Sequence, residues 1–144
     1  MEKKFIELIN KFTVGVPEID AQHEHLVNLS GCLSVMCYRR RRTSDFHFAM
    51  TIKNTLYFVN FHINYEEKLM LETAYPGLEE HKNFHKVFFM DFLKQIRAFE
   101  SRANFIPEKL PDFLYDWLDP HFIMDMDMGL HVKKSGYFAM NYDK

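Results

Sequence analysis

The sequence predicts an all-α protein, an antiparallel four-helix up-and-down bundle with an irregular N-terminal arm. Three features point there. Five glycines and five prolines in 144 residues leave long stretches free of helix breakers. Apolar residues recur at three- and four-residue steps through four such stretches. The connections between stretches are short, so successive helices must run antiparallel.

Residues 1–17 contain Gly15 and Pro17 and read as the irregular arm. A first helix begins near Glu18 and Asp20 and carries Leu26, Leu29, Leu33 and Met36 on one stripe. It ends near Arg39-Arg40-Arg41-Arg42, where cations suit the helix dipole. That run reads as a solvated helix end and loop rather than a seat for an anionic partner. Thr43-Ser44-Asp45 is a capping cluster that opens a second helix. Ile52, Leu56, Val59 and Ile63 carry its stripe to about Leu71, and Tyr75-Pro76-Gly77 breaks it. The third helix spans roughly Leu78 to Glu100, with Phe84, Val87, Phe88, Phe92 and Ile96 as its stripe. Residues 101–106 connect, and Pro107 suits a first turn. The fourth helix runs from about Glu108 into the 120s, with a kink expected at Pro120 and a tail after about residue 130. No repeat, low-complexity tract or Gly/Ser linker divides the chain, so residues 1–144 are expected to form one domain.

Apolar residues make up 47% and charged residues 26%, which excludes disorder along the whole chain. The net charge is −2, which argues against nucleic acid as the main partner, since phosphate binding needs a basic excess. No apolar run approaches the roughly 18 residues of a membrane span, and none is expected to engage a membrane. The start has neither a long apolar stretch nor a small-residue cleavage site, so no signal peptide is expected. Cys32 and Cys37 are too few for a disulfide scaffold and lie five apart, poor spacing for a bond within one helix. Idle or buried thiols in a reducing cytoplasm are the expectation.

The eight histidines carry the most information. His62 and Glu66 are four residues apart on the second helix, and a four-residue step turns about 400°, so both leave one face. His81 and His85 repeat that spacing on the third helix, and His121 and Asp125 on the fourth. His23 adds an imidazole on the first. A lone histidine on an apolar face is usually a core or surface residue, and one His-x-x-x-His pair is common by chance. Three pairs and a further histidine spread over four helices are hard to ascribe to coincidence. Burying them unpartnered would cost several kcal/mol in sum. Five imidazoles and two carboxylates exceed one tetrahedral zinc and suit two metal ions sharing carboxylate bridges. The spacing differs from the Glu-x-x-His of ferritin-like di-iron proteins, and His81-Lys82-Asn83-Phe84-His85 lacks the glutamate of a zincin.

The sequence here resembles the hemerythrin family, in particular its small single-domain bacterial members, over roughly residues 12–131. Val14-Gly15-Val16-Pro17-Glu18-Ile19-Asp20-Ala21-Gln22-His23 looks like the family's opening motif. His62-x-x-x-Glu66-Glu67-x-x-Met70, Tyr75-Pro76 and His81-x-x-x-His85-x-x-Phe88 follow its central motif, and Trp117-Leu118-x-x-His121 its last helix. The resemblance implies two iron ions in an oxo- or hydroxo-bridged di-iron centre. One iron would be held by His81, His85 and His121, the other by His23 and His62, with an open position for dioxygen. Glu66 and an aspartate would bridge them, and Trp117 and Leu118 would line the oxygen pocket. In the family pattern the bridging aspartate lies five residues after the last histidine. That position is Met126 here, flanked by Asp125 and Asp127. Asp125 is favoured because its i+4 step keeps it near the His121 face, and the following Met126-x-Met128-Gly129-Leu130-His131 resembles the family's continuation; Asp127 is the reserve. Pro120 just before a ligand is a second departure. The missing N-terminal-arm tryptophan is a third, with Phe12 the nearest aromatic. His25 should point away from His23, and His47 and His131 have no assigned role.

The resemblance thus implies a non-enzymatic protein that binds dioxygen reversibly for storage, delivery or buffering. Two other readings are an oxygen or redox sensor acting through a partner, and a di-iron enzyme of peroxidase or nitric oxide reductase type. Glu67, next to Glu66, is expected to face away from it.

Overall fold

The computed structural model describes residues 3–11, 13–39, 44–102 and 107–142. Four long helices form the bundle: α2 (Pro17–Tyr38), α3 (Asp45–Glu72), α4 (Leu78–Ser101) and α5 (Leu110–Lys134). Short helices α1 (Lys3–Lys11) and α6 (Tyr137–Tyr142) flank them, and a single 3-10 turn, Pro107–Lys109, leads into α5. No strand occurs among the described residues. In sequence order each long helix packs on the next, and α5 closes the ring on α2.

Local chemistry sets the helix ends. Pro17 occupies the first turn of α2, where its missing N–H costs nothing. The Asp20 carboxylate accepts hydrogen bonds from the Val14 N–H at 2.8 Å and the Gly15 N–H at 3.1 Å, which folds the preceding loop back onto that helix. The Ser44 hydroxyl caps α3 by accepting from the His47 N–H at 3.2 Å. Glu79 and Glu80 in the first turn of α4, and Lys133 and Lys134 in the last turn of α5, complement the helix dipoles.

Several expectations are corrected. Residues 3–11 are helical, so among the described residues the irregular part of the arm is only 13–16. Gly15 and Pro17 break the chain locally but do not reach the stripe of Phe5 and Leu8, both buried in the main core. Lys4 reinforces the docking of α1 through an ion pair with Asp112 at 2.7 Å. The last bundle helix extends to Lys134, with Pro120 inside it, rather than ending in the 120s, because Asp125, Met128 and Val132 keep its inner face filled. The tail continues as α6, whose Tyr137 hydroxyl donates to Glu72 on α3. Val87 is exposed rather than part of the α4 stripe, since the buried step is His81, His85, Phe88, Phe92, Ile96. Arg40 to Arg42, Thr43, Phe12 and most of the 101–106 connection lie outside the described residues.

The core is in two parts. The larger contains Leu26, Val59, Ile63, Phe88, Leu118 and Phe122 and extends toward α1. The smaller contains Val14, Val16, Ile19, Leu69, Met70, Met128 and Val132. Each fully buried large apolar side chain contributes about 1.5–3 kcal/mol of burial energy. The arm reaches the smaller part by passing close to α5 at Gly129, where an added Cβ would collide with the Val14 side chain and lie 2.9 Å from its carbonyl oxygen. Between the two apolar layers, in the order of residues along every long helix, lies a layer of buried histidines and carboxylates.

Candidate metal centre

That layer brings together His23 from α2, His62 and Glu66 from α3, His81 and His85 from α4, and His121 and Asp125 from α5, all buried. Two groups of five converge within 4.8 Å: His23, His62, Glu66, His121 and Asp125; and Glu66, His81, His85, His121 and Asp125. Glu66, Asp125 and His121 belong to both. Each helix contributes through its own period, since an i, i+4 step returns a side chain to the inner face.

The carboxylates divide their oxygens between the histidines. Glu66 Oε1 lies 3.2 Å from His62 Nε2 and 3.6 Å from His23 Nε2. Glu66 Oε2 lies 3.2 Å from His85, 3.6 Å from His121 and 3.7 Å from His81, again at Nε2. Asp125 Oδ2 stands 2.9 Å from the Nε2 atoms of both His23 and His121, and Oδ1 stands 2.9 Å from His81 Nε2. Despite this closeness, neither oxygen of either carboxylate, nor Nε2 of His23, His81 or His85, has a hydrogen-bond partner. Such buried orphans are costly. Buried ring nitrogens and carboxylate oxygens turned toward common points are what a metal ion requires, so the donor set fits a bound metal.

Outer nitrogens fix two of the rings. The Gln22 side-chain oxygen lies 2.9 Å from His62 Nδ1, and Glu67 Oε1 lies 3.2 Å from His85 Nδ1. Each oxygen accepts the Nδ1–H, which leaves Nε2 bare toward the centre. His62 Nε2 also sits 3.0 Å from His121 Nε2.

Electrostatics suits the same purpose. Burial, reinforced by neighbouring histidines, lowers His62 well below the usual range and His85 to about 2. Burial also lowers His121, against the pull of Asp125. These three rings are therefore neutral donors at neutral pH. Burial pushes the Glu66 carboxyl well up, and the Asp125 charge adds to the push. Burial would raise Asp125 too, but the rings of His121, His23 and His81, each 2.9 Å from its oxygens, hold it well below the carboxylate range. Two buried carboxyls side by side repel, and a cation between them removes that conflict.

Aromatic rings wall the centre. Trp117 stacks on His121 at 4.4 Å and on Phe88 at 3.7 Å, and Phe122 stacks on His23 at 4.0 Å. Leu118 is buried in the adjoining apolar layer.

The remaining candidates lie elsewhere. Asp127 is exposed, as are His25 and His47. His25 packs edge-on against Phe58. His131 lies with Nε2 2.7 Å from the Thr73 carbonyl and ties α5 to the end of α3. Cys32 is exposed, and Cys37 is buried. Sequence reasoning assigned no part to Gln22 and gave Glu67 only an orientation. Their adjacency to His23 and Glu66 was visible, but their partners sit on other helices, which periodicity does not reveal.

The chain is 27% identical over 103 residues to a bacteriohemerythrin of Campylobacter jejuni subsp. jejuni serotype O:23/36, an alignment covering 72% of this chain and 76% of that protein. Bacteriohemerythrins of serotypes O:6 and O:2 match to the same identity and extent. No family model and no solved structure matches the chain. The hemerythrin resemblance carried by its motifs therefore has a counterpart over these 103 aligned residues, across which the chain is similar to proteins named bacteriohemerythrin.

Proposed function

We propose that this protein holds two iron ions in its buried centre and binds dioxygen there reversibly, for storage, delivery or buffering of oxygen. The observation that carries the reading is the division of Glu66, whose Oε1 faces His23 and His62 while Oε2 faces His81, His85 and His121. A carboxylate so turned can bridge two ions, and Asp125 also reaches both sets of rings, with Oδ1 toward His81 and Oδ2 toward both His23 and His121. In this reading His81, His85 and His121 hold one ion, His23 and His62 hold the other, and Glu66 and Asp125 bridge. Imidazole with carboxylate is a donor set that suits iron. Two reduced irons, when bound, supply one electron each toward dioxygen.

The chain's own groups would then govern reversibility. Neutral imidazoles satisfy the ions without adding charge, and the two carboxylates offset part of the positive charge. Trp117 and Leu118 would line the oxygen side with apolar surface. A dry wall disfavours escape of a reduced, charged oxygen species, because an ion moving into low dielectric pays heavily in solvation. The wall also restricts the supply of protons on which oxygenase chemistry depends. This makes a non-enzymatic carrier the reading of choice. The name of the Campylobacter relatives is consistent with it.

The test is anaerobic loading with ferrous iron, metal analysis, and cycles of air and argon. Two irons per chain and an absorption band that appears with oxygen and vanishes without it are the expected results. One iron or none would end the di-iron reading, and irreversible bleaching with product release would turn it toward an enzyme.

A further inference from the structure

Of the five rings at the centre, only His62 and His85 have their outer nitrogens held by a side chain among the described residues, and the two holders differ in kind. Gln22 Oε1, 2.9 Å from His62 Nδ1, is a neutral amide oxygen in a buried pair that joins α2 to α3. Glu67 Oε1, 3.2 Å from His85 Nδ1, belongs to a carboxylate that joins α3 to α4 and is one-quarter exposed. The outer nitrogens of His23, His81 and His121 have no such partner. A groove of about 420 Å³ between α3 and α4 reaches Glu67 and His85 and is lined in part by Asn60, Asn64, Lys82, Asn83 and Lys86. Gln22 and His62 do not line it.

We propose that Gln22 and Glu67 are positioning residues that set the two metal positions apart beyond their three and two histidines, Glu67 charging and wetting the outer side of His85 while Gln22 keeps that of His62 neutral and dry. This rests on the two-metal reading of the centre. An Nδ1–H shared with a carboxylate gives the imidazole some imidazolate character and makes Nε2 the stronger donor. An amide oxygen orients the ring and fixes its tautomer but adds no charge. The position that includes His85 therefore binds its ion more tightly. Its ring proton also has a route to solvent through Glu67, which that of His62 lacks.

The experiment titrates metal-free protein with cobalt(II), followed by visible absorption, and records proton spectra of the cobalt-loaded protein for its paramagnetically shifted ring N–H resonances. Wild type should take up two equivalents with unequal affinity, and should show a His85 N–H that exchanges quickly with water and a His62 N–H that exchanges slowly. Glu67→Gln keeps the size and an acceptor oxygen but loses the charge. It should weaken the tighter equivalent about 10- to 100-fold and leave the other unchanged. Gln22→Leu should weaken the other equivalent and abolish the slowly exchanging resonance. Far-ultraviolet circular dichroism at wild-type strength would establish that both variants are folded. If Glu67→Gln binds both equivalents like wild type, or if both substitutions weaken the same equivalent, the inequality is overturned while the two-metal reading stands. Uptake of fewer than two equivalents by wild type would overturn that reading and the inequality with it.

Discussion

At the scale of single residues, burial decides which groups can serve. Asp125 and Asp127 are two positions apart, about 200° around a helix, so only one of them can face inward. Asp125 is fully buried among the histidines, and Asp127 is exposed. Asp125→Ala should lose at least one iron per chain by metal analysis, whereas Asp127→Ala should retain the wild-type content. The reverse order would show that the bridge was assigned to the wrong carboxylate. The buried rings also predict a pH dependence for the metal-free protein. His62, His85 and His121 are all lowered, His85 to about 2. Above the unfolded value of about 6.5 each ring is neutral in both states and stability is unaffected. Below it the unfolded chain takes up protons that the folded chain refuses, so stability falls with pH, by up to about 1.4 kcal/mol per pH unit for each such ring. Glu66 and Glu67, both raised chiefly by burial, work in the opposite sense, because the folded state takes their protons first. The three rings outnumber them, and urea midpoints measured from pH 7 to pH 5 should decrease.

At the scale of elements, α1 is the clearest test of how the core is built. Its sequence is short and soon followed by Gly15 and Pro17, yet Phe5 is fully buried and meets Tyr115 edge-on at 5.9 Å. Phe5→Ala should destabilise the protein by about 3–5 kcal/mol, the usual cost of emptying a buried aromatic position, read as a lower denaturant midpoint. A loss under about 1 kcal/mol, as at a surface position, would mean that α1 merely rests on the bundle. The four long helices were readable from periodicity because an amphipathic stripe is a property of one segment and its own pitch. Their ends were readable where chemistry marks them, as at Ser44, whereas Pro17, read as part of the arm, is the first residue of α2. The length of α5 was not readable, because local signals carry it only into the 120s, and burial of Asp125, Met128 and Val132 extends it to Lys134.

At the scale of the whole molecule, a polar layer is held between two apolar ones, and the apolar layers supply the stability that the polar layer lacks. Its carboxylates and several ring nitrogens are buried without hydrogen-bond partners, a burden that a bound cation relieves. Metal should therefore stabilise the fold as well as occupy it. With free metal at 100 to 1,000 times the dissociation constant, binding to the folded state alone adds about 2.7–4.1 kcal/mol. Thermal unfolding of loaded protein with and without a strong chelator should show a clear fall in Tm on chelation. An unchanged Tm would count against metal binding by the native state.

The sequence by itself determined the four long helices, the residue types offered on the inner face of each, and their four-residue spacing, since all of these follow from the period of a single helix. It narrowed the bridging carboxylate to two neighbours on one helix. Only the tertiary structure decided which helices meet, which aspartate turns inward, that Glu66 divides its oxygens between two sets of rings, and that Gln22 and Glu67 reach across to His62 and His85. Those are distances between segments far apart in the chain. They depend on how the apolar layers pack, which no single helix period contains.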